Sequence, residues 1–192
     1  MRDPVEYLLG KLMAWTRRRF GYNPSRHWPP RKVSRLSYDM ADQSLNGVRL
    51  EAAIPEASTF GPADDIWGDR SLFELAYYDL GLKVEFYDQE ISNFTLIMEP
   101  ADPRYQYHKY KPAEVSIKTP DGLSHALSGT THENTLIRLL GEPDETGPIV
   151  EHRMHTFIRG RNWIDSYHDP ESGHLAELTF EMAADPKEQG PS

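Results

Sequence analysis

Residues 138–147 read RLLGEPDETG: a leucine-rich run, a glycine, a proline between two acids, a further acid and a second glycine. Taken alone, such a loop is either a ligand site, with carboxylates for a metal or an acid/base pair, or a helix stop. Residues 58–68, STFGPADDIWG, hold the same arrangement about 80 positions earlier: Gly61, Asp64 and Asp65 correspond to Gly141, Asp144 and Glu145, with Pro62 and Pro143 inside the two loops. The second occurrence decides between the readings. Pro, Asp and Gly are turn residues for backbone reasons, and one turn used twice accounts for both acid pairs without chemistry.

The flanks repeat as well. Ahead of Gly141, Thr130 and Glu133 read as a capping box, with Leu136, Leu139 and Leu140 on one helical face. Ahead of Gly61, Ile54, Ala57 and Phe60 take similar places, with Pro55 near the helix start. Behind the loops, Phe86-Tyr87-Asp88 sits over Tyr167-His168-Asp169, with 27 positions from glycine to aspartate in the first copy and 28 in the second. Leu82, Val84 and Phe86 alternate with polar residues, as do Phe94, Leu96 and Met98, and Leu178, Phe180 and Met182. Alternation of this kind marks a sheet with one buried and one wet face.

The expectation is therefore an α+β fold of two tandem small units, each a short helix packed on an antiparallel sheet. Residues 37–100 and 121–184 are the two repeats, joined by a connector at 101–120. A basic helix and Pro-rich arm at 1–36 precede them, and a flexible tail at 185–192 follows. A unit of ~60 residues is marginal alone, so two packed together make physical sense.

Composition narrows the function classes. Hydrophobic residues at 38% and charged residues at 27% describe a globular chain of 192 residues. With no cysteine, disulfides, thiolate metal sites and a lipidated cysteine are impossible. No apolar run approaches the ~20 residues that span a bilayer, and MRDPVEYLLGKLMAW does not read as a secretory signal. A cytoplasmic protein without an integral membrane segment is expected.

The net charge of −9 hides an asymmetry. Residues 1–36 hold nine of the 21 Lys/Arg against two of the 30 Asp/Glu, a balance of +7; the remaining 156 carry 12 basic and 28 acidic groups, a balance of −16. Such a body repels nucleic-acid phosphates and attracts basic partners. In the arm, Asp3, Pro4 and Glu6 start a helix, Val5, Leu8, Leu9, Leu12 and Trp15 give it an apolar face, and Arg17, Arg18 and Arg19 load its C-terminal end. That helix either packs on its own body or docks on a membrane or partner.

The short helix ending in Leu140-Gly141-Glu142-Pro143-Asp144, followed by an antiparallel meander, resembles the BamE-like unit of an outer-membrane assembly lipoprotein. Doubled in tandem over roughly residues 45–182, it is similar to the β-lactamase inhibitory protein, whose two repeats present a concave surface to an enzyme. The resemblance implies a binding surface made by two sheets and nothing catalytic. Without cysteines or an export signal neither protein's location carries over, and no individual contact residue does.

Eight histidines raise the question of a metal. His152 and His155, three apart on a strand, point to opposite faces. His168, Asp169, Glu171 and His174 cluster in a turn that the repeat explains as a hairpin. There is no G-x-S-x-G, P-loop, H-E-x-x-H or dinucleotide fingerprint. No catalytic residue, metal or cofactor is therefore assigned. The expected partner-binding residues are aromatic: Trp67, Tyr87, Tyr105, Tyr107, Trp163 and Tyr167. The function they point to is a non-enzymatic binding protein of the bacterial immunity type, masking a basic toxin or effector domain. The alternatives are a scaffold docking through its basic helix and a metal-dependent hydrolase using the His168–His174 turn.

Overall fold

The computed structural model describes residues 22–99 and 110–183. The basic N-terminal helix, Tyr105 and Tyr107 of the connector and the tail lie outside these residues. In chain order the strands are β1 (Leu36–Asp39), β2 (Ser44–Leu45), β3 (Val48–Arg49), β4 (Asp65–Gly68), β5 (Leu72–Tyr77), β6 (Leu82–Tyr87), β7 (Glu90–Ile97), β8 (Val115–Lys118) and β9 (Ser124–Leu127). A helix, α1 (Glu133–Leu140), follows, and then β10 (Glu145–Ile149), β11 (His152–Arg159), β12 (Asn162–His168) and β13 (Leu175–Met182). Short 3-10 turns occupy Pro24–His27, Ile54–Phe60 and Tyr78–Leu80.

The strands form two sheets. One has eight strands in the order β10-β11-β12-β13-β7-β6-β5-β4, all antiparallel. The other has five, β3-β2-β1-β8-β9, with β1 and β8 parallel. The tight β2–β3 link is Asn46-Gly47, both at positive φ, the pairing that a two-residue hairpin with the right strand twist requires.

This corrects the expected fold class. The protein is mostly β, with one α-helix among the described residues, and not two helix-on-sheet units. Two physical causes account for the difference. The last strands of the two meanders, β7 and β13, each offer an unpaired edge, and they satisfy it on each other from Asn93↔Glu181 to Ile97↔Glu177. The buried side of the joined sheet is then wider than two short helices can cover. A second sheet covers it, drawing strands from 36–49 and 115–127. The helix expected before Gly61 is a 3-10 turn of seven residues, and Ala53 gives it no side-chain cap. In α1 the cap is His132, whose Nδ1 accepts from the Asn134 amide at 3.2 Å, rather than Thr130.

The two sheets are tied at Tyr38. Its ring is fully buried and stacks on Phe180, with centroids 3.8 Å apart. Its hydroxyl donates to Asn162 Oδ1 at 2.8 Å, and Asn162 Nδ2 donates to the Met40 carbonyl at 2.9 Å. Burial, with Asp39 second, pushes the hydroxyl pKa up, so it remains a donor. Phe73 and Phe86 stack on the other half of the same inner face, 4.6 Å apart. Tyr38→Phe keeps the stacking and strips Asn162 Oδ1 of its buried donor. It is expected to cost about 1–3 kcal/mol, read as a lowered urea midpoint with an unchanged slope.

Candidate interaction surface

The loops that opened the sequence reading are structural. Gly141 follows α1 at φ +86 and Gly61 follows the first 3-10 turn at φ +76. In each loop an arginine binds the last helical carbonyl: Arg159 Nε donates to Leu140 O, and Arg31 Nε donates to Phe60 O at 3.2 Å. The same arginines reach the loop aspartates, Arg159 to Asp144 at 2.7 Å and Arg31 to Asp64 at 3.7 Å. Each aspartate also accepts one backbone N–H, from Ile158 at 2.7 Å and Tyr78 at 2.8 Å. Carboxylates so occupied hold turns. Bonding from Ile158 first, and Arg159 next, keeps the Asp144 pKa low.

The histidine turn is likewise taken up by structure. Asp169 Oδ1 accepts from Ser172 N at 2.7 Å and Glu171 N at 3.1 Å, closing the turn. His168 is fully buried on the inner side of β12. Among the described residues no group of three or more His, Asp or Glu converges as metal ligands.

The outer face of the eight-stranded sheet is different. Strand registers place Ile158, Trp163, Glu181, Asn93, Glu85, Glu74 and Trp67 side by side in one row across β11, β12, β13, β7, β6, β5 and β4. The row beside it runs Glu145, Thr156, Asp165, Thr179, Thr95, Lys83, Ala76 and Asp65. Tyr167 stands opposite Glu177, and Tyr87 opposite Leu72. Of the six aromatic residues expected to bind a partner, the structure thus brings Trp67, Tyr87, Trp163 and Tyr167 to one face. The two tryptophans are five strand spacings apart, about 24 Å. Large apolar side chains lie exposed towards both ends of the face: Trp67 at 39%, Leu72 at 48% and Tyr87 at 62% on one side, Ile158 at 37% on the other.

Acids fill the space between. Lys83 pairs with Glu74 at 2.7 Å. Glu85 accepts from Asn93 Nδ2 at 3.1 Å, and Asp165 accepts from Trp163 Nε1 at 3.0 Å and Thr156 Oγ1 at 2.6 Å. Glu181 makes no ion pair among the described residues. Its pKa is raised, first by burial and then by Asp165 and Glu85. That of Glu74 is raised too: burial, with Glu85 and Glu177 adding to it, outweighs Lys83. The sequence reading missed these carboxylates. The signal that marks them is the same alternation: residues between Leu82, Val84 and Phe86, or beside Leu178 and Phe180, must face outward.

No protein-family model and no curated protein matches the chain. Among solved structures it is similar to a DUF4309 family protein from Bacillus subtilis, at 12% identity over 92% of this chain and 97% of that one, with a TM-score of 0.46. It is also similar to a cysteine-rich secretory protein from Staphylococcus aureus, at 14% identity over 77% of this chain and 51% of that one, with a TM-score of 0.33. The expected resemblance to BamE-like and β-lactamase-inhibitory repeats is overturned by the fold, which is mostly β with one α-helix among the described residues and not a pair of helix-on-sheet repeats. The immunity-protein expectation loses the support of that resemblance. No helix of the described residues is long and apolar enough to cross a membrane.

A carboxyl whose folded pKa is raised favours the fold while protonated and loses that contribution as pH rises through the folded value. Glu181→Gln is therefore expected to raise the unfolding free energy at pH 7 by no more than about 1 kcal/mol, given solvent screening. At pH 3, where both forms are neutral, it leaves the midpoint unchanged. Paired urea titrations at the two pH values measure this.

Proposed function

We propose that the chain is a non-enzymatic binding protein that holds a basic protein partner on the outer face of its eight-stranded sheet. The single observation that carries the reading is the cross-strand row in which two tryptophans flank Glu181, Glu85 and Glu74. Exposed apolar groups towards both ends supply burial and anchoring. The crowded acids between them supply steering and selectivity for cations, which relieve their mutual repulsion. A second copy of the chain is a poor occupant, since it sets like charges against each other. A cytoplasmic location belongs to the same reading.

Purification of the full chain from its native host at low salt is expected to yield a stoichiometric basic protein. The pair of substitutions Glu85→Lys and Glu181→Lys, or Trp163→Ala alone, is expected to lose it while the circular dichroism is retained. Raising NaCl from about 50 to 500 mM is expected to weaken the complex tenfold or more, because exposed charges are screened within about 10 Å or less. Repeated recovery of the chain alone, or a partner indifferent to these substitutions, counts against the reading.

A further inference from the structure

The inner side of β11 and β12, under the start of α1, holds a layer of titratable groups that the outer face does not use. Glu133, the first residue of α1, accepts both contacts from Arg153 Nη1 at 3.0 Å and lies 3.2 Å from His155 Nε2. His155 Nδ1 meets Thr146 Oγ1 of β10 at 2.9 Å. The His155 ring lies 5.3 Å from that of His168 on the next strand. His168 is fully buried: its Nε2 meets Ser166 Oγ at 2.9 Å, the Gly173 backbone lies near the ring, and its Nδ1 has no well-formed hydrogen-bond partner among the described residues.

The groups that face His168 are mostly cations or potential cations. Arg153 stands directly opposite it in register, and His155 stands beside it. His132, at the cap of α1, lies against Gly173 and close to His174, with ring centroids 6.4 Å apart. The carboxylate offered from α1 is Glu133, already shared by Arg153 and His155. A proton on His168 thus adds a buried positive charge without a free counter-charge, a costly arrangement.

We propose that this layer is an acid-sensitive latch: protonation of His168 releases α1 and the β11–β12 hairpin, while β5, β6 and β7 stay paired. The inference does not depend on what binds the outer face. Burial first, and His155 second, hold His168 from the ordinary 6.5 down to about 4, against the pull of Glu133 and the Gly173 backbone. Glu133, although its partial burial works the other way, is kept below the usual carboxylate range by its bonds from His155 and Arg153, so the anchor itself remains charged. The sign follows from linkage. A depressed histidine leaves the closed layer at full stability above pH 6.5, and that stability is lost as pH falls towards 4. Opening gains up to tenfold per pH unit, on the order of 100-fold between pH 6.5 and 4.5.

Hydrogen exchange of the full chain, corrected for intrinsic rates, tests this. Amides of 133–140 and 152–168 are expected to lose protection on that scale below pH 6.5, while those of 82–97 keep theirs. His168→Asn, which retains a donor for Ser166 and does not titrate, is expected to flatten the profile. Three outcomes overturn the proposal: both halves losing protection together, α1 staying protected to pH 4.5, or the His168→Asn profile matching the native one. Should that variant not fold, the imidazole of His168 in the native chain is titrated by NMR. A midpoint near 4 supports the latch, and one near 6.5 overturns it.

Discussion

The pairing of β7 with β13 is the constraint on which the rest of the structure depends. Each strand ends a four-stranded meander, and each would otherwise leave a row of unpaired N–H and C=O groups at an edge. Joined from Asn93↔Glu181 to Ile97↔Glu177, they make one sheet of eight strands. Side chains along that seam then divide by parity. Phe94, Leu96, Leu178 and Phe180 turn inward, where Phe180 receives Tyr38 from the second sheet. Asn93, Thr95, Thr179 and Glu181 turn outward, and the Thr95 and Thr179 hydroxyls meet at 3.3 Å.

The same division lets one strand serve two purposes. β12 carries Trp163, Asp165 and Tyr167 on the outer face and Ile164, Ser166 and His168 beneath. The outer set is semi-exposed, charged and aromatic, suited to a partner's surface. The inner set is buried, so its imidazole, with no well-formed partner at Nδ1 among the described residues, is felt as an electrostatic burden. Neither property follows from the residue types alone. Histidine and aspartate in the 168–174 turn looked like ligands in sequence, yet pleating sends His168 inward while Asp169 is consumed by turn amides.

Much of the local structure was legible because it obeys short-range rules. The alternation through Leu82, Val84 and Phe86 and through Leu178 and Phe180 marks the strands, and the glycine loops after Phe60 and Leu140 mark where helical turns stop. The candidate aromatics Trp67, Tyr87, Trp163 and Tyr167 are legible as residue types, but their shared face depends on strand registers that no local pattern carries. The outward acids are implied by the same alternation that marks the buried positions. Misreadings arose where a local signal was weak or contested. Ile54–Phe60 has helical spacing but no side-chain cap, and it closes as a 3-10 turn.

What the amino-acid order by itself determined is the period-two patterning of β5 to β7 and β11 to β13, the doubled glycine–proline–acid turn, and the acidic balance of the body. These depend on neighbours a few residues apart, or on composition. What only the tertiary structure decided is non-local: the β7–β13 seam joining positions 80 to 88 residues apart, and the parallel pairing of Leu36–Asp39 with Val115–Lys118. The assembly of the Ile158–Trp67 row from seven strands is of the same kind. Backbone hydrogen bonding at a sheet edge is indifferent to side-chain identity. The choice of partner strand is therefore settled by which arrangement buries both apolar faces at once, a property of the whole chain that no segment carries alone.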